Sequence, residues 1–169
     1  MNTALVILLC FLVAPLVLYA GLALGVGRDR VWATLLGPGD RVPVDIAAAG
    51  RHRRPNRYLV GPPGAGAGGA AGAESPVFPV PAERLRAAVD AQLAEMGARV
   101  LEAGGDRIEA EVRTPFLRFP DLITVWIIPV DGERTTLAVL SRSVYGYSDL
   151  GTNRRRVIEL LAGLDRRVR

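Results

Sequence analysis

The sequence predicts an α+β domain, an antiparallel four-stranded meander sheet with two packed helices, preceded by one N-terminal transmembrane helix. Three observations predict it: an uncharged apolar run at the N-terminus, two later stretches with apolar residues at helical spacing, and four stretches of strand character between them. The order helix, four strands, helix places both helices on one face of the sheet. It contains no βαβ unit, so a Rossmann-type dinucleotide site is not expected.

The N-terminal segment, residues 1–27, is predicted to cross a membrane as a helix. No charged side chain occurs from Asn2 to Gly27, and the stretch from Leu5 to Leu24 supplies the roughly twenty apolar residues that a hydrocarbon core requires. A cleaved signal peptide is the alternative, but the chain start has no basic side chain and the apolar run is longer than that of a typical signal peptide. We therefore expect an uncleaved single span.

Residues 28–60 are predicted to form a basic juxtamembrane segment, and residues 61–76 a Gly/Ala-rich flexible linker. The run Arg51-His52-Arg53-Arg54 has the densest charge of the first segment, and anionic headgroups would attract each arginine by about 1 kcal/mol. A solvated loop without a specific partner explains the run equally well. The linker lacks the Gly-Lys-Ser/Thr ending of a phosphate-binding loop. The α+β domain is expected over residues 77–169.

The two helices of the domain follow from apolar residues that repeat every three or four positions. The first is predicted over Pro81–Met96, because proline suits a first helical position and Gly97 suits a helix end. The second begins near Ser148–Asn153, where Asp149 or Ser148 can accept hydrogen bonds from free backbone N–H groups. The apolar stripe of the second helix consists of Val157, Leu160, Leu161, Leu164 and Val168.

The four strands lie between these helices, and the last two form a hairpin at Asp131-Gly132, a strong turn signal. If the hairpin loop has an even number of residues, Asp121 lies opposite Arg142 and Leu122 opposite Ser141. An odd loop would break that register. The predicted strands are Ala98–Glu102, Asp106–Thr114, Leu122–Val130 and Arg134–Arg142.

Composition excludes several classes of function. The net charge is +4, all 21 basic residues are arginine, and residues 77–169 carry fourteen arginines against thirteen acids, so a basic stripe for nucleic acid is not expected. Cys10 and His52 are the only cysteine and histidine in the sequence. An intrachain disulfide, a His/Cys metal cluster and a catalytic triad are therefore excluded, and we expect no metal, no cofactor and no catalytic residue.

Polar chemistry is predicted to gather at one end of the sheet, in a set that we call the polar corner. One interpretation is an anion-binding site built from arginines and helix N-terminal amides. The other, which we favour, is an internal ion pair from Arg142 to Asp121 or Asp149 that ties helix to sheet. The polar corner consists of Arg118, Asp121, Ser141, Arg142, Ser143, Ser148, Asp149, Asn153 and Arg154.

A family resemblance appears at these residues. Phe119-Pro120-Asp121, Ser141-Arg142-Ser143 and Gly146, followed by Ser148-Asp149-Leu150-Gly151, Asn153 and Arg156, resemble the signature of the domain of unknown function 1499 family. Pro55-Asn56-Arg57-Tyr58-Leu59 resembles its upstream element. The resemblance implies a bacterial or plastid protein with a membrane or export segment, and no activity. Where the family often has two acids, Asp121 is followed here by Leu122, which weakens any scheme that needs paired carboxylates.

The resemblance and the charges beside the apolar segment suggest opposite orientations. Arg28 and Arg30 favour a cytoplasmic domain by the positive-inside rule, whereas the resemblance favours export. We expect a single-pass protein of a bacterial inner membrane with its domain in the periplasm.

The function expected from these features is that of a non-catalytic accessory or binding module of the cell envelope. Its expected partners are the lipid bilayer and an envelope protein or an anionic group, and not nucleic acid. The alternative is an enzyme that uses Asp121, Asp149, Ser141 or Ser143 together with Arg142.

Overall fold

The structure is a computed structural model that describes residues 3–25, 27–45, 49, 55–62, 73–115 and 117–169. The chain divides into two units, Met1–Gly39 and Asp40–Arg169. Most of the predicted linker, residues 63–72, lies outside the described residues, as does the basic run of residues 51–54.

The first unit contains helix α1, Thr3–Gly25, and helix α2, Arg28–Leu36. Large apolar side chains along α1 are exposed, among them Ile7, Phe11 and Leu24. Among the described residues, no helix reaches the combined length and apolar character that crossing a bilayer demands. The predicted transmembrane helix is therefore not supported.

The second unit is an α+β domain whose described residues form a six-stranded mixed sheet. The predicted antiparallel meander is present as four neighbouring strands, but the prediction of a four-stranded sheet was wrong because β1 and β2 add to its edge. β1 pairs antiparallel with β6, and β2 pairs parallel with β1. The strands are β1 Arg57–Gly61, β2 Ala73–Glu74, β3 Arg99–Gly104, β4 Arg107–Arg113, β5 Pro120–Pro129 and β6 Thr135–Ser143, in the order β2-β1-β6-β5-β4-β3.

Helices α3, Ala82–Glu95, and α4, Thr152–Val168, contribute to one core with the sheet. Pro81, which the sequence predicts as the first helical residue, instead lies directly before the first turn of α3 in an extended conformation. The core includes helix residues such as Leu85 and Leu160 and strand residues such as Val125. Burial of such side chains is the main favourable contribution to folding, at about 25 cal/mol per Å² of apolar surface.

A second, smaller apolar cluster includes Leu59, Trp126 and Leu140 from the strands, together with Val44 and Ala49. The segment before β1 therefore packs on the sheet, although the sequence predicts a juxtamembrane segment over residues 28–60. The second unit begins at Asp40, well before the expected domain start at residue 77.

The β5–β6 hairpin has a register that differs by one residue from the prediction. Its last pair is Pro129 opposite Thr135, so the loop has five residues, and Leu122 lies opposite Arg142. Asp121 consequently lies opposite Ser143. Because neighbouring residues of a strand point to opposite faces, the shift directs Arg142 to the face opposite that of Asp121.

Candidate functional site

A buried ion pair joins the sheet to helix α4 at the predicted corner. Arg156, in the first half of α4, donates from Nη2 to Oδ2 of Asp121, at the start of β5, over 2.7 Å. Both side chains are more than nine-tenths buried. The sequence predicts Arg142 in this position, and Arg156 belongs only to the residues that resemble the family signature.

Hydrogen bonds extend this pair into a buried polar network, which we define as Asp121, Ser141, Ser143, Asn153 and Arg156. Nη1 of Arg156 donates to Oγ of Ser141 over 3.0 Å and to Oδ1 of Asn153 over 2.8 Å. Ser141 donates from Oγ to Oδ1 of Asn153 over 2.7 Å. Nδ2 of Asn153 donates to Oγ of Ser143 over 3.2 Å. Each polar side chain of the network therefore has a hydrogen-bond partner within the protein, as a buried polar group requires.

Asn153 also connects the network to the chain before β1. Its Nδ2 donates to the backbone carbonyl of Asn56 over 2.9 Å. The side-chain Nδ2 of Asn56 donates to the carbonyl of Gly146 over 2.8 Å. Asn56 and Asn153 are both almost fully buried. The network therefore holds the entry to β1, the end of β6 and the start of α4 together.

The charge of Asp121 is controlled by opposing effects. Burial raises the pKa of its carboxyl. The charge and hydrogen bond of Arg156 lower that pKa, as does a hydrogen bond from Ser143, whereas the nearby charge of Asp149 raises it. The net result is a raised pKa. The carboxylate is nonetheless held by a guanidinium at hydrogen-bonding distance. Its geometry is that of a structural ion pair.

Asp149 acts at the start of α4, as the sequence predicts. Its Oδ2 accepts a hydrogen bond from the amide of Asn153 over 2.8 Å, and its Oδ1 accepts one from the amide of Gly151 over 3.2 Å. Gly151 has a φ of 76°, in the left-handed region that glycine adopts without strain. Ser148, the other predicted cap, is exposed.

The other arginines of the predicted corner do not join the network. Arg142 lies on the opposite face of the sheet and donates to Oδ1 of Asp40 over 3.0 Å and to the carbonyl of Val42 over 2.6 Å. Arg118 and Arg154 are exposed. The predicted corner is therefore divided between two faces and the protein surface, and Asp121, Ser141 and Asn153 gather around Arg156.

A cleft of about 430 Å³ opens beside the network, and we call it the arginine cleft. One side is a face of α4 and the other is the end of β4 with the loop that follows. Its lining residues are Met96, Val112, Arg113, Thr114, Pro115, Thr152, Arg155, Arg156 and Glu159. The lining carries three guanidinium groups and one carboxylate, and two of the guanidinium groups are already paired, Arg156 with Asp121 and Arg113 with Glu111.

The guanidinium groups of the cleft are oriented by their own neighbours. Arg155 donates to the carbonyl of Leu150 over 3.1 Å and to Oγ1 of Thr152 over 3.0 Å. Arg113 donates from Nε to Oε1 of Glu111 over 2.9 Å. Such fixed, charge-assisted contacts reduce the entropy that a ligand would otherwise cost when it orders these side chains.

The arginine cleft was not predicted from the sequence. A signal was present, because residues 152, 155, 156 and 159 are spaced to share one face of a helix. Their partners at the end of β4 come from about forty residues earlier, and no spacing rule connects the two sets.

Similarity to solved structures is limited. The adenylate sensor from AMP-activated protein kinase, in complex with 5-aminoimidazole-4-carboxamide 1-beta-D-ribofuranotide, matches with 17% identity and a TM-score of 0.45, over 53% of this chain and 94% of that chain. The crystal structure of TTHA0849 from Thermus thermophilus matches with 17% identity and a TM-score of 0.32, over 56% of this chain and 93% of that chain. Among curated proteins, no sequence matches this chain.

A family profile matches more than half of the chain. Residues 72–164 match the family described as "Protein of unknown function (DUF1499)". That range contains every residue of the polar network and every residue that lines the arginine cleft. The chain therefore belongs to the domain of unknown function 1499 family.

Proposed function

We propose that the protein is a non-catalytic, membrane-associated accessory module of the cell envelope that binds an anionic group in the arginine cleft. The observation that carries this proposal is the convergence of Arg113, Arg155 and Arg156 on one cleft of about 430 Å³. That volume lies within the range of small-molecule sites, about 300–1,000 Å³.

The chemistry of the lining favours an anion. A planar guanidinium offers parallel donors that match a carboxylate or a phosphate, and the hydroxyls of Thr114 and Thr152 add further donors. Residues 152, 155 and 156 lie in the first two turns of α4, where the helix dipole also favours negative charge.

A catalytic role is less well supported by the same geometry. A general base must reach the proton that it removes, and Asp121, the buried acid of the network, is bonded to Arg156 instead. The raised pKa of Asp121 is the observation that favours the enzyme alternative. That alternative predicts that Asp121→Asn abolishes a reaction while the anion still binds in the cleft.

Membrane association rests on helix α1. Its exposed apolar side chains would lose contact with water in a bilayer, at a gain of about 25 cal/mol per Å² of apolar surface. In this proposal α1 holds the protein at a bacterial inner membrane, with the second unit in the periplasm. Alkaline extraction of membranes from cells that express the full chain, or a chain that starts at Asp40, tests the association. A reporter fused after Arg169 tests on which side of the membrane the second unit lies.

The binding proposal is tested by titrating inorganic phosphate and pyrophosphate into the purified full chain in a calorimeter. Arg155→Gln should weaken binding about tenfold or more, since it removes one charge-assisted contact. Arg154→Gln is the matched control: Arg154 is the adjacent, exposed residue of the same helix and does not line the cleft. Equal weakening by both substitutions would mean that only diffuse charge attracts the anion.

A further inference from the structure

The α4 side of the arginine cleft carries opposite charges in a fixed order. Thr152, Arg155, Arg156 and Glu159 line the cleft from the same helix, at spacings that place them on one face. At 1.5 Å of rise per residue, Glu159 lies about 5 Å beyond the two arginines along the helix axis. The cleft therefore presents a cationic end, near the helix start, and an anionic end.

Glu159 does not form an ion pair with Arg155, which lies one turn before it in α4. The guanidinium of Arg155 is bonded to Leu150 and Thr152, toward the start of α4 and away from Glu159. An arginine placed four residues before a glutamate is also the less favourable order for a helical ion pair. Within the described ranges, Glu159 takes part in none of the salt bridges, although it is exposed and lines the cleft.

The remaining lining strengthens electrostatic contacts inside the cleft. Met96, Val112 and Pro115 contribute apolar surface, which lowers the local dielectric constant around a bound ligand. A ligand with negative charge alone would bring that charge close to the carboxylate of Glu159. A ligand with a second, positive group at the matching distance would instead gain a contact there.

We propose that the ligand of the arginine cleft is a small zwitterion of the phosphoethanolamine type, either as a free molecule or as a lipid headgroup. Its phosphate binds the exposed guanidinium of Arg155, and its ammonium group, roughly 5 Å away, donates to the carboxylate of Glu159. The inference rests on the proposed function, because the anionic half of the ligand occupies the same cleft.

The test compares phosphoethanolamine with propyl phosphate, in which a methyl group replaces the ammonium group, by calorimetry on the full chain. The wild type should bind phosphoethanolamine about tenfold more tightly, and Glu159→Gln should remove that preference. Glu133→Gln is the control: Glu133 is an exposed glutamate of the β5–β6 loop and does not line the cleft. Glu159 is itself exposed, so its substitution leaves the core intact.

The outcomes separate the two proposals. Equal affinity of the wild type for both compounds would overturn the zwitterion and leave anion binding in place. If neither compound binds and phosphate does not bind either, both the zwitterion proposal and the proposed function are overturned. A preference that persists in Glu159→Gln would also overturn the assignment of Glu159.

A second arm identifies the source of the ligand. Flotation with phosphatidylethanolamine vesicles is compared between the wild type and Glu159→Gln, so that any contribution of α1 is the same in both. Weaker flotation of the variant assigns a lipid headgroup, and equal flotation with a calorimetric difference assigns a free zwitterion. If the wild type and Glu159→Gln behave alike in both flotation and calorimetry, the proposal is contradicted.

Discussion

The guanidinium of Arg156 donates to the carboxylate of Asp121 across the interface of helix α4 and strand β5, 35 positions apart in the sequence. The same guanidinium lines the arginine cleft. One side chain therefore stabilises the interior and contributes to the candidate site.

Removing that guanidinium should be strongly destabilising. Arg156→Met leaves the carboxylate of Asp121 buried without its cation, which typically costs about 3–5 kcal/mol. Urea denaturation, followed by circular dichroism, should show the loss. Arg154→Met, on the exposed side of the same helix, should change the free energy of unfolding by less than about 0.5 kcal/mol. The double variant Asp121→Asn, Arg156→Met should recover part of the loss, because no buried charge remains unpaired.

A close approach of the two helices provides a second prediction. A Cβ atom at Gly163 of α4 would overlap with Oε1 of Gln92, a buried residue of α3 whose Oε1 accepts a hydrogen bond from Arg167 over 3.1 Å. Gly163→Ala should lower the melting temperature, at a cost of about 1–3 kcal/mol from overpacking. The added substitution Gln92→Ala removes the obstructing atoms and should offset part of this cost. No rescue would mean that the helix backbones themselves obstruct the methyl group.

The acid dependence of stability should depend on Glu111. Burial alone would raise the pKa of its carboxyl, but hydrogen bonds and charges from Arg41 and Arg113 outweigh burial and lower the pKa below its usual 4.5. A lowered folded-state pKa contributes stability that is complete above the unfolded value and is lost as the pH falls through the folded value. The free energy of unfolding, measured from pH 6 downward, should therefore fall less steeply below about pH 4.5 in Glu111→Gln. Glu133→Gln, at an exposed site, should keep the wild-type slope.

The segment before β1 should be required for a stable second unit. A chain that starts at Val77 lacks β1 and β2, exposes the edge of β6, and deprives Arg142 of its contacts with Asp40 and Val42. We expect this chain to aggregate or to unfold without a cooperative transition, whereas a chain that starts at Asp40 melts cooperatively. Equal melting of the two chains would show that β1 contributes little to stability.

Local patterns were sufficient to predict much of the domain. Apolar spacing located both helices of the second unit and the four meander strands, because each pattern lies within a single element. β1 was missed because its five residues follow a run of arginines, and its partner β6 lies about eighty residues later. That short segment is a strand because it pairs with β6 and with β2.

The prediction of the candidate site from the sequence depended on one unknown quantity, the length of the β5–β6 loop. A loop of five residues places Ser143, rather than Arg142, opposite Asp121. Arg142 then faces the segment that begins at Asp40, and Arg156 occupies the place beside Asp121. The residue types of the corner could be predicted, but the choice among its arginines depended on long-range geometry.

The position of the Gly/Ala-rich stretch has a consequence for sequence change. It starts after β1 and ends at β2, and both strands belong to the same sheet, so it closes a loop within the second unit rather than connecting that unit to α1 and α2. The free energy of closing a loop grows only with the logarithm of its length, by about 0.6 kcal/mol for each doubling. Insertions between residues 63 and 72 should therefore be tolerated, which makes this stretch suitable for an inserted epitope tag.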